Sequence, residues 1–161
     1  MKSELSENDL KLLMGDSNPD FATFLYARSD NLYKGINWIA MSVPMQWLAY
    51  RKMIPEAFLF ILFSWALTLL LQFIFGMRAS GNIAGFSRII SAILLGFCAN
   101  AIYMKKLKRI FARSKSVPRD LKLSYIKSKG GVSDFLGYFF IVVELASFFL
   151  LSFIEVFVFQ F

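Results

Sequence analysis

Residues 54–75 have the sequence IPEAFLFILFSWALTLLLQFIF, and this stretch decides the class of fold. Its 22 residues carry a single charge, Glu56, near the start. About 20 apolar residues in an α-helix cross the ~30 Å hydrocarbon core of a bilayer. Pro55 suits the first turn of such a helix, where its missing N–H would have no helical partner. We therefore predict a transmembrane helix over 54–75.

Two further apolar stretches lie on the carboxyl-terminal side of this helix. A second span is predicted over 83–103, and a third over 134–158. The chain of 161 residues is 57% hydrophobic, contains 19 Phe and has a mean hydropathy of +0.55. One small soluble core cannot bury so much apolar surface. The predicted fold class is an all-α membrane protein with three transmembrane helices, preceded by an amphipathic and interfacial helical region.

Residues 1–35 have no continuous apolar stretch, so we expect no cleavable signal peptide. Ser6 and Asp9 have the spacing of a capping box, which predicts a short helix over 8–14 that ends at Gly15. Asn18 and Pro19 signal a second helix that ends at Gly35. We predict that residues 1–35 form a cytosolic amphipathic segment.

Residues 36–53 are apolar and aromatic, but the stretch is short and contains Pro44. Trp38, Trp47 and Tyr50 are residue types that favour the headgroup region of a membrane. We predict an interfacial or re-entrant helix here. A short additional span is the alternative, and it would move the amino terminus to the other side of the membrane.

The basic residues predict the orientation of the chain. Its net charge is +7, and residues 104–133 contain ten Lys and Arg against one acidic residue, Asp120. Because Lys and Arg concentrate in cytoplasmic loops, we predict a basic cytoplasmic loop over 104–133, a cytoplasmic amino terminus and an external carboxyl terminus in a bacterial inner membrane. The candidates for contact with anionic lipid headgroups are Arg51, Lys52, Lys105, Lys106, Lys108 and Arg109.

Composition argues against several functional classes. The chain has no His and a single Cys, Cys98, which excludes zinc sites of the His type and Ser-His or Cys-His catalysis. We predict no metal, no cofactor, no catalytic residue and no enzymatic activity. Nucleic acid is disfavoured as a partner, because the basic loop offers only Phe111 and Tyr125 as stacking aromatics.

The second predicted span has one face of small residues: Gly81, Gly85, Ala92 and Gly96. Small residues four positions apart let another backbone approach closely, which is how membrane helices commonly associate. We predict close packing on this face. The sequence leaves open whether its partner is the third span, a second copy or another protein.

The polar residues that we single out as candidates within the predicted spans are Arg88, Asn100, Glu144 and Glu155. Ionisable groups at this depth are costly, so they mark either an internal pair or a functional path. One interpretation is a structural pair between Arg88 and one of the two glutamates, and the other is a proton or ion relay. The sequence favours the structural pair, because only Gln72 and Asn100 add further polar groups.

Three stretches of the sequence resemble a known family. They are Gly15-Asp16-Ser17-Asn18 leading into Phe21 and Phe24; Asn37-Trp38-Ile39-Ala40 with Pro44, Trp47 and Tyr50-Arg51-Lys52-Met53; and Asn100-Ala101-Ile102-Tyr103 with Ile110 and Gly130-Gly131-Val132-Ser133. Between Leu13 and Ser133 the chain resembles the small bacterial membrane proteins grouped as domain of unknown function 2628. This resemblance implies a multi-pass inner-membrane protein without an established activity. Where members often carry a histidine after the Asn-x-x-Tyr motif, this chain has lysines, so no role of that histidine carries over.

The function expected from the sequence is that of a non-enzymatic accessory or regulatory membrane protein, a subunit or assembly partner of a larger complex. Its partners would be the lipid bilayer and either another membrane protein or further copies of the chain. The alternative is a small ion or proton channel, or a transporter component, that uses Glu144, Glu155 and Arg88 in an oligomer.

Overall fold

The structure, a computed structural model, describes residues 5–15, 19–27, 35–75 and 80–159, without the side chains of residues 19, 80–82, 155–156 and 158–159. The described residues contain no strand, and their helices are α1 (Glu7–Met14), α2 (Pro19–Ala27), α3 (Trp38–Ser42), α4 (Pro44–Tyr50), α5 (Ile54–Phe75), α6 (Ser80–Ser114), α7 (Arg119–Lys129) and α8 (Asp134–Phe159). Three of them, α5, α6 and α8, are long and apolar enough to cross a membrane. The predicted all-α fold class with three such helices is confirmed.

Helix α5 begins and ends at the predicted residues, but α6 is longer than the predicted span. It has 35 residues and continues to Ser114, and α7 follows it, so much of the region predicted as a loop is helical. The reason is that no Gly or Pro lies between Gly96 and Pro118. Met104, Leu107 and Ile110 recur at helical spacing and are buried, so this part of α6 has its own packed face. We call the region of α6 beyond Tyr103, together with α7, the basic end.

The two amino-terminal helices pack at the basic end. The capping box is confirmed, because Ser6 Oγ accepts from Asp9 N at 3.1 Å and Ser6 N donates to Asp9 Oδ2 at 3.0 Å, although α1 begins one residue earlier than predicted. Glu7 pairs with Lys11 at 2.7 Å and accepts from Thr23 of α2 at 2.9 Å. Both bonds lower the pKa of the Glu7 carboxyl from its ordinary value, and the bond to Lys11 has the larger effect. The predicted start at Asn18 and the predicted extension over 28–34 lie outside the described residues.

The predicted single helix over 36–53 is divided into α3 and α4. Val43 separates them with φ −134° and ψ 69°, outside the helical range, and Pro44 opens α4 because it cannot donate a hydrogen bond to α3. Both ends of this segment lie toward the basic end of α6: Asn37 N donates to the carbonyl of Gly96, and Arg51 reaches Tyr103. Residues 37–51 therefore form a helical hairpin with its turn at Val43, which we call the hairpin.

The hairpin is wedged between α6 and α8. Helix α3 packs on α6, and the backbone of α8 lies closest to α4, whereas α8 reaches α5 and α6 through side chains. The buried core runs from α1 and α2 through the hairpin to the facing sides of α5 and α6, and includes Leu10, Leu25, Leu48 and Leu107. Beyond the hairpin turn none of the described helices fills the space between α5, α6 and α8, which leaves room there for a cavity.

Candidate functional site

Asparagine side chains fix the hairpin to α6. The Asn37 amide group donates to Asn100 Oδ1 at 2.9 Å, and Asn100 Nδ2 donates to the carbonyl of Gly35 at 3.2 Å. Asn37 also caps α3, because its Oδ1 accepts from Ala40 N at 2.9 Å. Asn100, predicted as an intramembrane polar candidate, is therefore fully engaged in holding the hairpin. It does not line the cavity described below.

The small residues of α6 have different surroundings. A Cβ added to Gly96 would lie 2.9 Å from Met41 Cβ, so at this point the close neighbour of α6 is the hairpin rather than another long helix. Ala92 lines the cavity, whereas a Cβ on Gly85 would meet nothing within 4 Å. Gly81 lies in the first turn of α6, in a part whose surroundings are not described.

A cavity of about 300 Å³ lies beyond the hairpin turn, among α5, α6 and α8. The polar residues that line it come from four elements, and they are Ser42, Ser64, Trp65, Thr68, Arg88, Glu144 and Ser147. Met41, Pro44 and Met45 close the side toward the hairpin, and Phe60, Ile61 and Leu151 are part of the apolar wall. The cavity therefore combines an apolar wall with convergent polar groups, which is the composition of a ligand site.

Arg88 and Glu144 bring opposite charges to this cavity from different helices. They do not form an ion pair with each other in the described part of the chain. The Arg88 guanidinium carbon instead lies 4.8 Å from the centroid of the Phe148 ring, in cation–π contact. Glu144 accepts a hydrogen bond from Gln46 of α4. Each charge thus has a neutral partner, and both remain on the cavity wall.

Hydroxyl groups add to the polarity of the cavity. Thr68 Oγ1 lies 2.6 Å from Ser87 Oγ and donates to the carbonyl of Ser64 at 2.8 Å. Trp65 Nε1 donates to Ser147 Oγ at 3.1 Å, which ties α5 to α8. The buried Ser64 Oγ has no hydrogen-bond partner among the described residues. These groups were not anticipated, because Ser and Thr in apolar helices ordinarily bond to their own backbone.

Glu155 lies in α8, eleven residues beyond Glu144, and its side chain is outside the described part. The three-turn spacing puts both residues on one face of α8. Among the described residues no group of three His, Cys, Asp or Glu side chains could hold a metal ion.

The basic residues predicted to contact lipid headgroups separate into two groups. Lys105, Lys108 and Arg109 are exposed. Lys106 Nζ donates to the carbonyls of Arg51 and Lys52 at the end of α4, and Lys52 Nζ donates to the carbonyl of Ser128 at 3.3 Å. Arg51 is only 6% exposed and packs against aromatic rings. The sequence predicts an open contact with lipid headgroups for this residue, whereas its side chain is buried.

Comparison with known proteins places these features in a family. The profile of a family described as "Protein of unknown function (DUF2628)" matches residues 16–109, which is more than half of the chain. The match includes the hairpin, α5 and α6 as far as Arg109, and it excludes α8 with Glu144. No curated protein and no solved structure matches the chain.

Proposed function

Since the chain belongs to the DUF2628 family, whose description gives no activity, we propose from the geometry alone that it provides a site for proton or small-ion movement within the membrane. The observation that carries this proposal is the pair Arg88 and Glu144, which line one cavity without neutralising each other. A charged residue at the centre of a membrane helix costs about 3 kcal/mol. An ion pair would be the simplest way to reduce that cost, and these two residues do not use it.

The cavity contains the polar groups that a relay needs. The sequence favours a structural pair because it offers only Gln72 and Asn100 as additional polar groups for a relay. In the structure, Ser64, Thr68 and Ser147 also line the cavity wall. We assign the proton-exchanging role to Glu144, because it is the carboxylate among the residues described at this cavity. Gln46 would position it, and Arg88 would supply a positive charge on the wall of the same cavity.

The same proposal includes a membrane and an orientation. The exposed Lys105, Lys108 and Arg109 at the basic end support placing that end on the cytoplasmic side of a bacterial inner membrane, in contact with anionic headgroups. The hairpin then enters and leaves on the cytoplasmic side as a re-entrant segment, and its turn approaches the cavity. Arg88 lies about 22 Å along α6 from Tyr103, which is deep in the hydrocarbon region.

Proton flux into liposomes tests this function. We expect vesicles containing the purified protein and a pH-sensitive dye to acidify when a potassium gradient with valinomycin sets the inside negative. Replacing Glu144 with Gln keeps the shape and the hydrogen-bonding capacity but removes the charge, so the protein-dependent flux should fall about tenfold or more. The matched control is Glu56→Gln, since Glu56 is also in a long helix but does not line this cavity.

Two results would contradict the proposal. One is a proton flux no faster than in protein-free vesicles, and the other is an equal proton flux in the native protein and in Glu144→Gln. Thermal unfolding of both variants in detergent should give similar midpoints, which separates a loss of transport from a loss of fold.

An accessory or regulatory role, expected from the sequence, is a second proposal, and α8 supports it. This helix packs mainly on the short α4, and its apolar side chains Leu145, Phe149 and Phe153 are 57%, 70% and 66% exposed. A neighbouring membrane protein or a second copy of the chain could pack there as helices do in membranes.

We expect a mild-detergent pull-down through an amino-terminal tag to recover a stoichiometric partner if this role is correct. The Glu144→Gln variant should recover the same partner, because Glu144 faces the cavity and not the outer side of α8. A lone monomer that co-purifies with no protein would contradict the accessory role. A homo-oligomer without other proteins would favour the ion pathway.

A further inference from the structure

A second cavity, of about 440 Å³, lies between the hairpin and the beginning of α8. The residues that line it are Ile39, Val43, Gln46, Trp47, Tyr50, Arg51, Asp134, Gly137, Tyr138 and Ile141. It is separate from the Arg88 cavity, because the two share no lining residue. Tyr50, Arg51 and Asp134 lie at the end where α4 finishes and α8 begins, whereas Gln46 lies in the first turn of α4, next to Glu144.

Arg51 is the buried charge of this cavity. Its guanidinium carbon lies 4.9, 5.6 and 5.1 Å from the ring centroids of Phe21, Tyr50 and Tyr103. Its Nη1 donates to Tyr103 Oη at 3.4 Å, but its buried Nε has no hydrogen-bond partner among the described residues, and no described carboxylate pairs with it.

Aromatic rings stabilise such a cation only in part. A buried guanidinium still requires hydrogen-bond acceptors and a counter-charge, and leaving a donor unsatisfied is costly. The planar donor group of arginine matches the oxygens of a phosphate or a carboxylate, and phosphate is the anion that every phospholipid headgroup carries. Arg51 is therefore suited to a phosphate group that enters the cavity.

Asp134 supplies the opposite charge on the same cavity. It lies in the first turn of α8 and is exposed. The cap of this helix comes from Ser133, whose Oγ accepts from Leu136 N at 3.4 Å, so the Asp134 carboxylate is not consumed in capping. A carboxylate binds a primary ammonium group by hydrogen bonds and charge, whereas it repels a second anion.

The apolar wall of the cavity continues onto the surface. Ile39, Val43 and Ile141 are 65%, 44% and 44% exposed, and they lie beside the opening rather than in a closed core. In a membrane protein such a surface contacts acyl chains. One ligand combines a phosphate, a nearby ammonium group and acyl chains, and that ligand is a phospholipid with a zwitterionic headgroup.

We propose that this cavity binds one phospholipid whose headgroup carries a primary amine, as phosphatidylethanolamine does. Arg51 binds the phosphate and Asp134 binds the ammonium group, while the first acyl carbons lie against Ile39 and Ile141. The bound lipid fills the space between the hairpin and α8 and supplies the anion that Arg51 lacks. This proposal does not depend on the proposed ion pathway.

Native mass spectrometry of the delipidated full-length protein tests it. The probes are phosphatidylethanolamine, phosphatidylglycerol and phosphatidylcholine with identical acyl chains. We expect one molecule of the ethanolamine lipid to bind about fivefold more tightly than either other lipid, which corresponds to one partly exposed ion pair. Asp134→Asn should abolish that preference, and Arg51→Lys, which loses the planar donor group, should weaken all three lipids about tenfold.

Matched variants control for nonspecific effects of charge. Asp120→Asn removes a carboxylate from the first turn of α7, and Arg109→Lys changes an exposed arginine of α6, and neither residue lines the cavity. Both should bind like the native protein. If Arg51→Lys does not fold, the lipid preference of Asp134→Asn alone tests the proposal, because Asp134 is exposed.

Three results would overturn the proposal. They are no retained lipid, an equal or greater affinity for the glycerol lipid in the native protein, and an ethanolamine preference that persists in Asp134→Asn. A preference for the glycerol lipid would indicate a general anionic headgroup site at the basic residues instead.

Discussion

Replacing Gly130 with Ala is expected to release α1 from the basic end. A Cβ at this position would lie 2.2 Å from the carbonyl oxygen of Leu13 and 2.8 Å from that of Ile126. Both atoms belong to the backbone, so neither can move away without shifting a helix. The neighbouring bond from Gly131 N to the Leu13 carbonyl, 2.8 Å long, would break as the two segments separate.

The size of this effect follows from overpacking and the lost hydrogen bond. Together they cost about 3 kcal/mol, which increases the population of detached α1 about a hundredfold. Tryptic cleavage after Lys11 reports this population, because a protease needs the helix to open. Gly137→Ala is the control, since its Cβ would lie 3.7 Å from Tyr50 Cβ, an ordinary contact. Native cleavage rates in Gly130→Ala would show that this contact does not hold α1 in place.

Replacing Gly96 with Leu is expected to push the hairpin away from α6. Met41 Cβ would be 2.9 Å from the new Cβ and is too near its own backbone to rotate aside, so α3 must shift. That shift also strains the bond from Asn37 N to the Gly96 carbonyl, 2.9 Å long. We expect a loss of about 3 kcal/mol in the free energy of unfolding and a fall of about 10 °C in the midpoint.

The control for this variant lies in the same helix. Gly85→Leu gains the same helix propensity, but nothing lies within 4 Å of its Cβ, so its unfolding midpoint should stay at or slightly above the native value. Both midpoints are measured by thermal unfolding in one mild detergent. Equal midpoints for the two leucine variants would mean that the hairpin does not pack against Gly96 as described.

Sequence patterns were sufficient to predict the long helices. The apolar stretch of 54–75 follows Arg51 and Lys52 closely, has one charge near its start and is followed directly by Gly76, and its limits coincide with those of α5. The Ser6–Asp9 spacing gave the amino-terminal cap of α1 because a capping box involves only neighbouring residues. The extension of α6 to Ser114 differs from the predicted loop, because the charge of a segment indicates its side of the membrane but not its secondary structure.

The cavity depends on contacts that one sequence does not contain. Helical spacing assigns Arg88 and Glu144 to depths along their own helices, but it does not give the rotation of one helix against another. The hairpin sets the rotation of α8, because α8 packs on α4 and Gln46 of α4 donates a hydrogen bond to Glu144 of α8. Arg51 is similar: its sequence position beside Lys52 suggests an exposed basic pair, whereas long-range packing encloses it in rings from Phe21 and Tyr103.

The uninterrupted length of α6 has a mechanical consequence. With 35 residues the helix is about 52 Å long, well beyond the ~30 Å hydrocarbon thickness, so one rigid rod joins the cavity wall at Arg88 to the platform formed by α1 and α7. A tilt of about 10° about its midpoint displaces each end by about 4–5 Å. A displacement of α1 and α7 that tilts α6 as a whole would therefore also move Arg88 at the wall of the cavity. Such a helix would act as a lever arm between the basic end and the cavity.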